Sequence, residues 1–202
     1  MRSREEHIMV QATRRMALLL GMLLGSTSTF ATETSPPLSP AQIALFETPH
    51  LARILGPLKL DYIFRREEDG RPPVTDQITL DIRRVEANGR HDVYPEFLTG
   101  ERRINYPPAQ GFLGNPLLLF ALDRSTRELS AMTGGSQNWF RGRFRAALLR
   151  DATVTHGSVP VPGQPRSIEA TTVELTPFDN ERRAGRFPTM HYVFVLSDDI
   201  PG

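Results

Sequence analysis

The stretch "GNPLLLFALDRSTRELSAMTGGSQNWFRGRFRAALLR", residues 114–150, decides the fold, because its apolar residues follow a helical period on both sides of a glycine pair. Asn115 and Pro116 are typical of a helix start, as the N-cap and the first helical residue. Gly134 or Gly135 can take the left-handed conformation that ends a helix. Ser136 is then the expected N-cap of a second helix of about 13 residues. The stretch therefore predicts two helices joined by a tight turn.

Each predicted helix has one apolar face. The residues expected on these faces are Leu118, Leu122, Leu129 and Met132 in the first helix, and Phe140, Phe144, Ala147 and Leu148 in the second. The charged residues Asp123 and Arg127, and likewise Arg124 and Glu128, stand four apart and predict ion pairs along the first helix. The glycines and Ser136 are thus explained as helix ends, and the full phosphate-loop pattern is absent. An anion held at the start of the second helix is the alternative interpretation.

Strands are predicted on both sides of the helices. Apolar and polar residues alternate over 58–64 and 76–85, and Asn88-Gly89 between them and the next strand is a strong hairpin signal. Residues 91–106 predict one or two further strands, and short strands return after Asp151. The segment 190–196 is apolar on both faces, so we expect a central strand or one covered on both sides. We also expect a further pairing strand beyond Gly202.

The order strands, two helices, strands indicates an α+β fold. We predict an antiparallel β-sheet, with strong curvature as one option, and a packed helical hairpin inserted between its strands. The expected organisation is a signal peptide at 1–31, a proline-rich linker and short helical lead-in at 32–56, and a single α+β domain at 57–202.

The first 31 residues have the pattern of a secretory signal. Arg14 and Arg15 precede an apolar run from Met16 to Gly25, and small residues follow up to Ala31. That run is too short to span a bilayer, which needs about 20 residues. The sequence predicts an exported, periplasmic protein without a transmembrane segment in the mature chain, and translation can start at Met1 or at Met9.

Composition and motifs exclude several classes of function. A net charge of +1 argues against nucleic-acid binding, and the absence of cysteine excludes disulfides and thiolate chemistry. No histidine pair has metal-ligand spacing, and no serine-nucleophile motif is present. The sequence therefore predicts no metal and no cofactor.

The helical stretch, together with "YVFVLSDDIPG" at 192–202, resembles a group of uncharacterised exported proteins of proteobacteria over residues 57–202. This resemblance implies export and no particular activity. At the level of fold alone, the layout is also similar to that of periplasmic half-barrel lipoprotein carriers.

These observations favour a non-enzymatic periplasmic binding or accessory protein that holds an apolar or anionic ligand, such as a lipid or peptide, or an envelope protein. The predicted ligand-binding residues are Trp139, Arg143, Arg150, Glu101 and Arg103. Two alternatives stay open. One is a periplasmic hydrolase with Glu101, His91 or His191 as its base, and the other is a structural subunit of an envelope assembly.

Overall fold

The computed structural model describes residues 37–67, 70–161, 164–179, 181 and 190–200. The predicted signal peptide, the first part of the linker and the end of the chain at Gly202 lie outside these residues. The described chain folds into two antiparallel sheets, two long helices and a short helical lead-in, so the prediction of an α+β fold is confirmed.

The first sheet has four strands in the order β1-β2-β3-β4. Their bounds are β1 Leu58–Arg66, β2 Val74–Val85, β3 His91–Phe97 and β4 Ala109–Phe112. The predicted alternation of apolar and polar residues along β2 is confirmed. Ile78, Leu80 and Ile82 are buried, because every second side chain of a strand points to the same face. Strand β4 has only four residues and lies beyond the strands that the sequence predicted.

The predicted hairpin at Asn88-Gly89 joins β2 to β3. Gly89 has φ +78°, a conformation in which glycine has no steric penalty. The Glu86 amide donates to the Arg90 carbonyl at 2.7 Å and closes the turn.

The second sheet has three strands in the order β5-β6-β7, which span Thr153–Pro160, Ser167–Leu175 and Tyr192–Leu196. The prediction that the last strand is central or doubly covered is wrong for the described part of the chain. There β6 is central and β7 pairs on one side only, with Val193 50% and Val195 51% exposed. Tyr192 and Phe194 on the other face of β7 pack against the helices.

The two predicted helices are α2 (Leu117–Thr133) and α3 (Gln137–Arg150). The Asn115 side chain accepts the Leu117 amide at 2.9 Å, and Gly134 ends α2 in the left-handed conformation at φ +71°. Ser136 occupies the N-cap position of α3, but its side chain makes no capping hydrogen bond.

The apolar stripe of α3 is confirmed, because Phe140, Phe144, Ala147 and Leu148 are all buried. On α2, Leu129 is buried, whereas Met132 is 46% exposed because it lies in the last turn, near the loop that joins the helices. The two predicted ion pairs of α2 form, and Arg141 of α3 also contacts Asp123 at 2.8 Å.

Helix α2 contacts both sheets. Its Leu117 and Phe120 pack against the first sheet, whereas Leu118 and Leu122 join the core formed by α3 and the second sheet. In the described ranges, the strands before the helices form one sheet and the strands after them form another, whereas the sequence predicted one sheet.

The described part of the lead-in, residues 37–56, contains α1 (Pro40–Gln42) and a π-helical turn (Ile43–Glu47). Ser39 and Gln42 form a reciprocal capping box, and the Ser39 hydroxyl donates to the Leu148 carbonyl at 2.6 Å. The buried residues of this region are Ala41, Leu45, Leu51 and Ile54. The lead-in is thus packed into the folded unit that begins at Pro37.

In the described part of the chain, no helix has both the length and the apolar character needed to cross a membrane.

Candidate functional site

A cavity lies where the lead-in, the start of α2 and the second sheet meet. Its volume is about 570 Å³. Ala44, Thr48 and His50 come from the lead-in, Tyr62 from β1, and Asn115 and Leu118 from the start of α2. The rest of the wall is formed by β5 and the residue after it, by β6, and by the end of β7 with the turn after it, at residues 156, 157, 159–161, 168–171, 195–198 and 200.

Asn115 links the helix start to the first sheet. Its side-chain oxygen accepts the Leu117 amide, and its amide nitrogen donates to the Tyr62 hydroxyl at 3.0 Å. Burial raises the pKa of Tyr62, so that its hydroxyl keeps its proton at neutral pH. The capping residue recognised in the sequence therefore also forms part of the cavity wall.

His50 is the most strongly constrained polar residue of the wall. Its Nε2 lies 2.9 Å from the Ala44 carbonyl, and because a carbonyl only accepts, Nε2 carries the proton. Burial lowers the pKa of His50, while the Ala44 hydrogen bond and the charge of Asp198 act in the opposite direction. His50 is thus uncharged at neutral pH, and Asp198 lies near enough to influence it.

The second sheet provides another histidine. His156 Nδ1 lies 3.0 Å from Thr171 Oγ1, across the β5-β6 pair that places the two residues opposite each other. The Ser197 hydroxyl donates to the Glu169 carbonyl at 2.6 Å and ties the turn after β7 to β6. This end of the cavity therefore combines aliphatic side chains with a few oriented polar groups.

The charged residues around the cavity are carboxylates. Glu169 and Asp198 are both exposed there, and none of the described residues around the cavity is Lys or Arg. In the described ranges no group of three or more histidine, aspartate or glutamate side chains could hold a metal ion. The arrangement can bind an apolar molecule and present hydrogen-bond acceptors to its polar end.

The predicted ligand-binding residues lie elsewhere. Trp139 packs edge-on against Phe140 at 4.9 Å and stacks on Phe178 at 6.2 Å, as part of the helix-sheet core. On the same helix, Arg143 donates to the Pro177 carbonyl and pairs with Glu181, and Arg150 is exposed.

Glu101 and Arg103 are exposed in and after a 3-10 turn that follows β3. None of the five predicted ligand-binding residues lines the cavity, and the structure does not join the two groups into one site. Their proposed role in binding stays a prediction.

The residues predicted as bases for the hydrolase alternative are also separated. His91 is fully buried at the start of β3, with Nε2 3.1 Å from the Ile54 carbonyl. Glu101 lies beyond the other end of β3, a strand of seven residues that spans roughly 20 Å. His191 precedes β7, with a half-exposed side chain that contacts Glu174 at 3.0 Å.

Sequence reasoning missed His50, His156, Thr171 and Asp198 as a group. They stand far apart in the chain, and no spacing rule connects them. Their common position arises only when α2 brings the lead-in against the second sheet.

Comparison with protein-family models, curated proteins and solved structures gave no match for this chain. The resemblance to exported proteobacterial proteins therefore stays a prediction.

Proposed function

We propose that the protein is an exported, non-enzymatic binding protein that holds a small apolar ligand in the cavity between the lead-in, α2 and the second sheet. The observation that carries this proposal is the cavity itself. Its volume of about 570 Å³ falls within the range of roughly 300 to 1,000 Å³ that is typical of small-molecule sites.

The composition of the wall supports an apolar ligand. Aliphatic side chains from the lead-in, α2 and the second sheet contribute to it, among them Ala44, Leu118, Val159, Ile168 and Leu196. Covering these side chains with a hydrocarbon would remove apolar surface from water at about 25 cal/mol per Å². Nine of the lining residues have polar side chains, and seven of these are hydrogen-bonded to the protein, which suits orientation of a ligand.

The proposed export rests on the sequence. The arginine pair, the apolar run and the small residues up to Ala31 form the pattern of a cleaved secretory signal. Binding is favoured over hydrolysis because the residues predicted as bases lie in three separate places and none of them lines the cavity.

The first experiment is native mass spectrometry of the purified protein before and after organic extraction. We expect a stoichiometric additional mass that extraction removes. The same preparation then serves for binding assays with apolar fluorescent probes.

A pair of variants on one strand connects binding to the cavity. Thr171 lines the cavity from β6, and its neighbour Thr172 points to the opposite face of the same strand. We expect Thr171→Trp to fill the cavity and to weaken probe binding by roughly tenfold or more, whereas Thr172→Trp binds as the wild type does.

Equal affinity in both variants, with both folded by circular dichroism, would contradict the proposal. A protein that has no extractable mass and binds no apolar probe would favour the structural-subunit alternative. The half-exposed edge strand β7 would then be the first surface to test for pairing with a partner.

A further inference from the structure

The cavity has an uneven charge distribution that restricts its ligand. Glu169 on β6 and Asp198 in the turn after β7 belong to its wall, and both are exposed. Neither forms a salt bridge with an arginine or lysine in the described part of the chain. By contrast, Asp76, Asp81 and Asp92 of the first sheet each contact an arginine.

The histidine beside them does not neutralise this charge. The charge of Asp198 raises the pKa of His50, but burial of the ring lowers it and is the larger effect. The ring is therefore neutral at pH 7 and does not compensate the negative charge beside it. The second histidine of the wall, His156, forms a hydrogen bond between its Nδ1 and the Thr171 hydroxyl.

The charged groups of the wall are more exposed than the leucines that line it. Leu118 and Leu196 are partly buried and pack against the core cluster formed by the helices and the second sheet. The carboxylates are exposed and lie towards solvent. A ligand that fits both parts has a hydrocarbon body and a positively charged end.

We propose that the cavity takes an amphipathic amine, with its alkyl or aryl body against the aliphatic side chains of the wall and its ammonium group beside Asp198 and Glu169. This inference rests on the proposed binding function and names the chemical class of the ligand. It also replaces the anionic ligand expected from the arginines of α3, since Arg143 and Arg150 lie outside the cavity wall.

Three probes with the same chain and different head charge test the inference: dodecylamine, dodecanol and dodecanoate, each titrated calorimetrically into the purified protein. We expect the amine to bind about tenfold more tightly than the carboxylate, with the alcohol between them, because exposed charge pairs each change affinity by up to about fivefold.

The variants Asp198→Asn and Glu169→Gln keep the shape of each side chain and remove its charge. Each should reduce the preference for the amine over the carboxylate by about threefold. The matched control is Asp199→Asn, because Asp199 adjoins Asp198 in the turn and is absent from the cavity wall. It should leave the preference unchanged.

The outcomes separate this inference from the proposed function. If dodecanoate binds as tightly as the amine, or if Asp199→Asn acts as strongly as Asp198→Asn, the amine inference is wrong and binding in the cavity stands. If none of the three probes binds the wild type, and Thr171→Trp changes nothing, the proposed function itself is wrong.

Discussion

Arg102 reaches back from the 3-10 turn to Asp76 on β2, and its Nε lies 2.7 Å from Asp76 Oδ2. The Asp76 side chain is only 2% exposed. It also accepts hydrogen bonds from the Thr99 hydroxyl at 2.7 Å and from the Gln77 backbone amide at 2.9 Å. One carboxylate thus fastens the chain after β3 to the first sheet. The hydrogen bond from Thr99 is the largest of the effects that hold the pKa of Asp76 well below its usual range.

This network predicts acid-sensitive stability. Because the pKa of Asp76 is depressed in the folded protein, its contribution is complete above the unfolded value of about 4 and is lost as the pH falls below that value. We expect Asp76→Asn to lower the melting temperature by several degrees at pH 7. The difference from the wild type should shrink at pH 3, as thermal unfolding followed by circular dichroism would measure. A difference that stays constant between these pH values would mean that the carboxylate charge has no part in the effect.

Trp139 is expected to stabilise the helix-sheet core. Its ring contacts Phe140 and Phe178 and is partly buried. We therefore expect Trp139→Ala to lower the free energy of unfolding, measured with urea, by about 2 to 3 kcal/mol. Because Phe140 is fully buried, Phe140→Ala should lower the free energy of unfolding by more, about 3 to 5 kcal/mol. Phe140→Asp should prevent folding, since it buries a charge.

Arg145→Ala is the control on the same helix, because Arg145 is exposed and should change stability by less than about 0.5 kcal/mol. If Trp139→Ala has as little effect as this control, Trp139 is free to act in binding, as its sequence position suggested.

The position of β7 can be tested with one valine on each of the two neighbouring strands β6 and β7. Val173 on the central strand β6 is fully buried, whereas Val193 on β7 is half exposed. We expect Val173→Thr to destabilise by about 1 to 3 kcal/mol, because it buries a hydroxyl. Val193→Thr should change the free energy of unfolding by less than about 0.5 kcal/mol. Similar large losses at both positions would place β7 inside a covered sheet.

His50 should titrate below the ordinary histidine value of 6.5, since burial lowers its pKa. The unfolded chain then binds the proton more readily than the folded chain, so stability falls as the pH drops below about 6.5 and levels off below the folded pKa. An NMR titration of the ring measures the shift directly. The free energy of unfolding of His50→Gln should fall less between pH 7 and pH 5 than that of the wild type. A ring that titrates above 6.5 would mean that Asp198 dominates over burial.

The sequence by itself determined the elements whose signal is local. The period of apolar residues identified the buried stripe of α3 and the inward face of β2, and glycine conformations fixed the turn at Gly89 and the end of α2 at Gly134. These features depend on neighbours within one turn or one strand, and residue type is sufficient to specify them.

Only the tertiary structure decided how these elements combine. Helix α2 presents Leu117 and Phe120 to one sheet and Leu118 and Leu122 to the other, so two sheets form. Among the described residues, that arrangement leaves β7 at an edge and places the cavity beside His50, Thr171 and Asp198. Burial of a face depends on what the rest of the chain packs against it, and an apolar pattern alone does not distinguish a buried strand from a half-exposed edge.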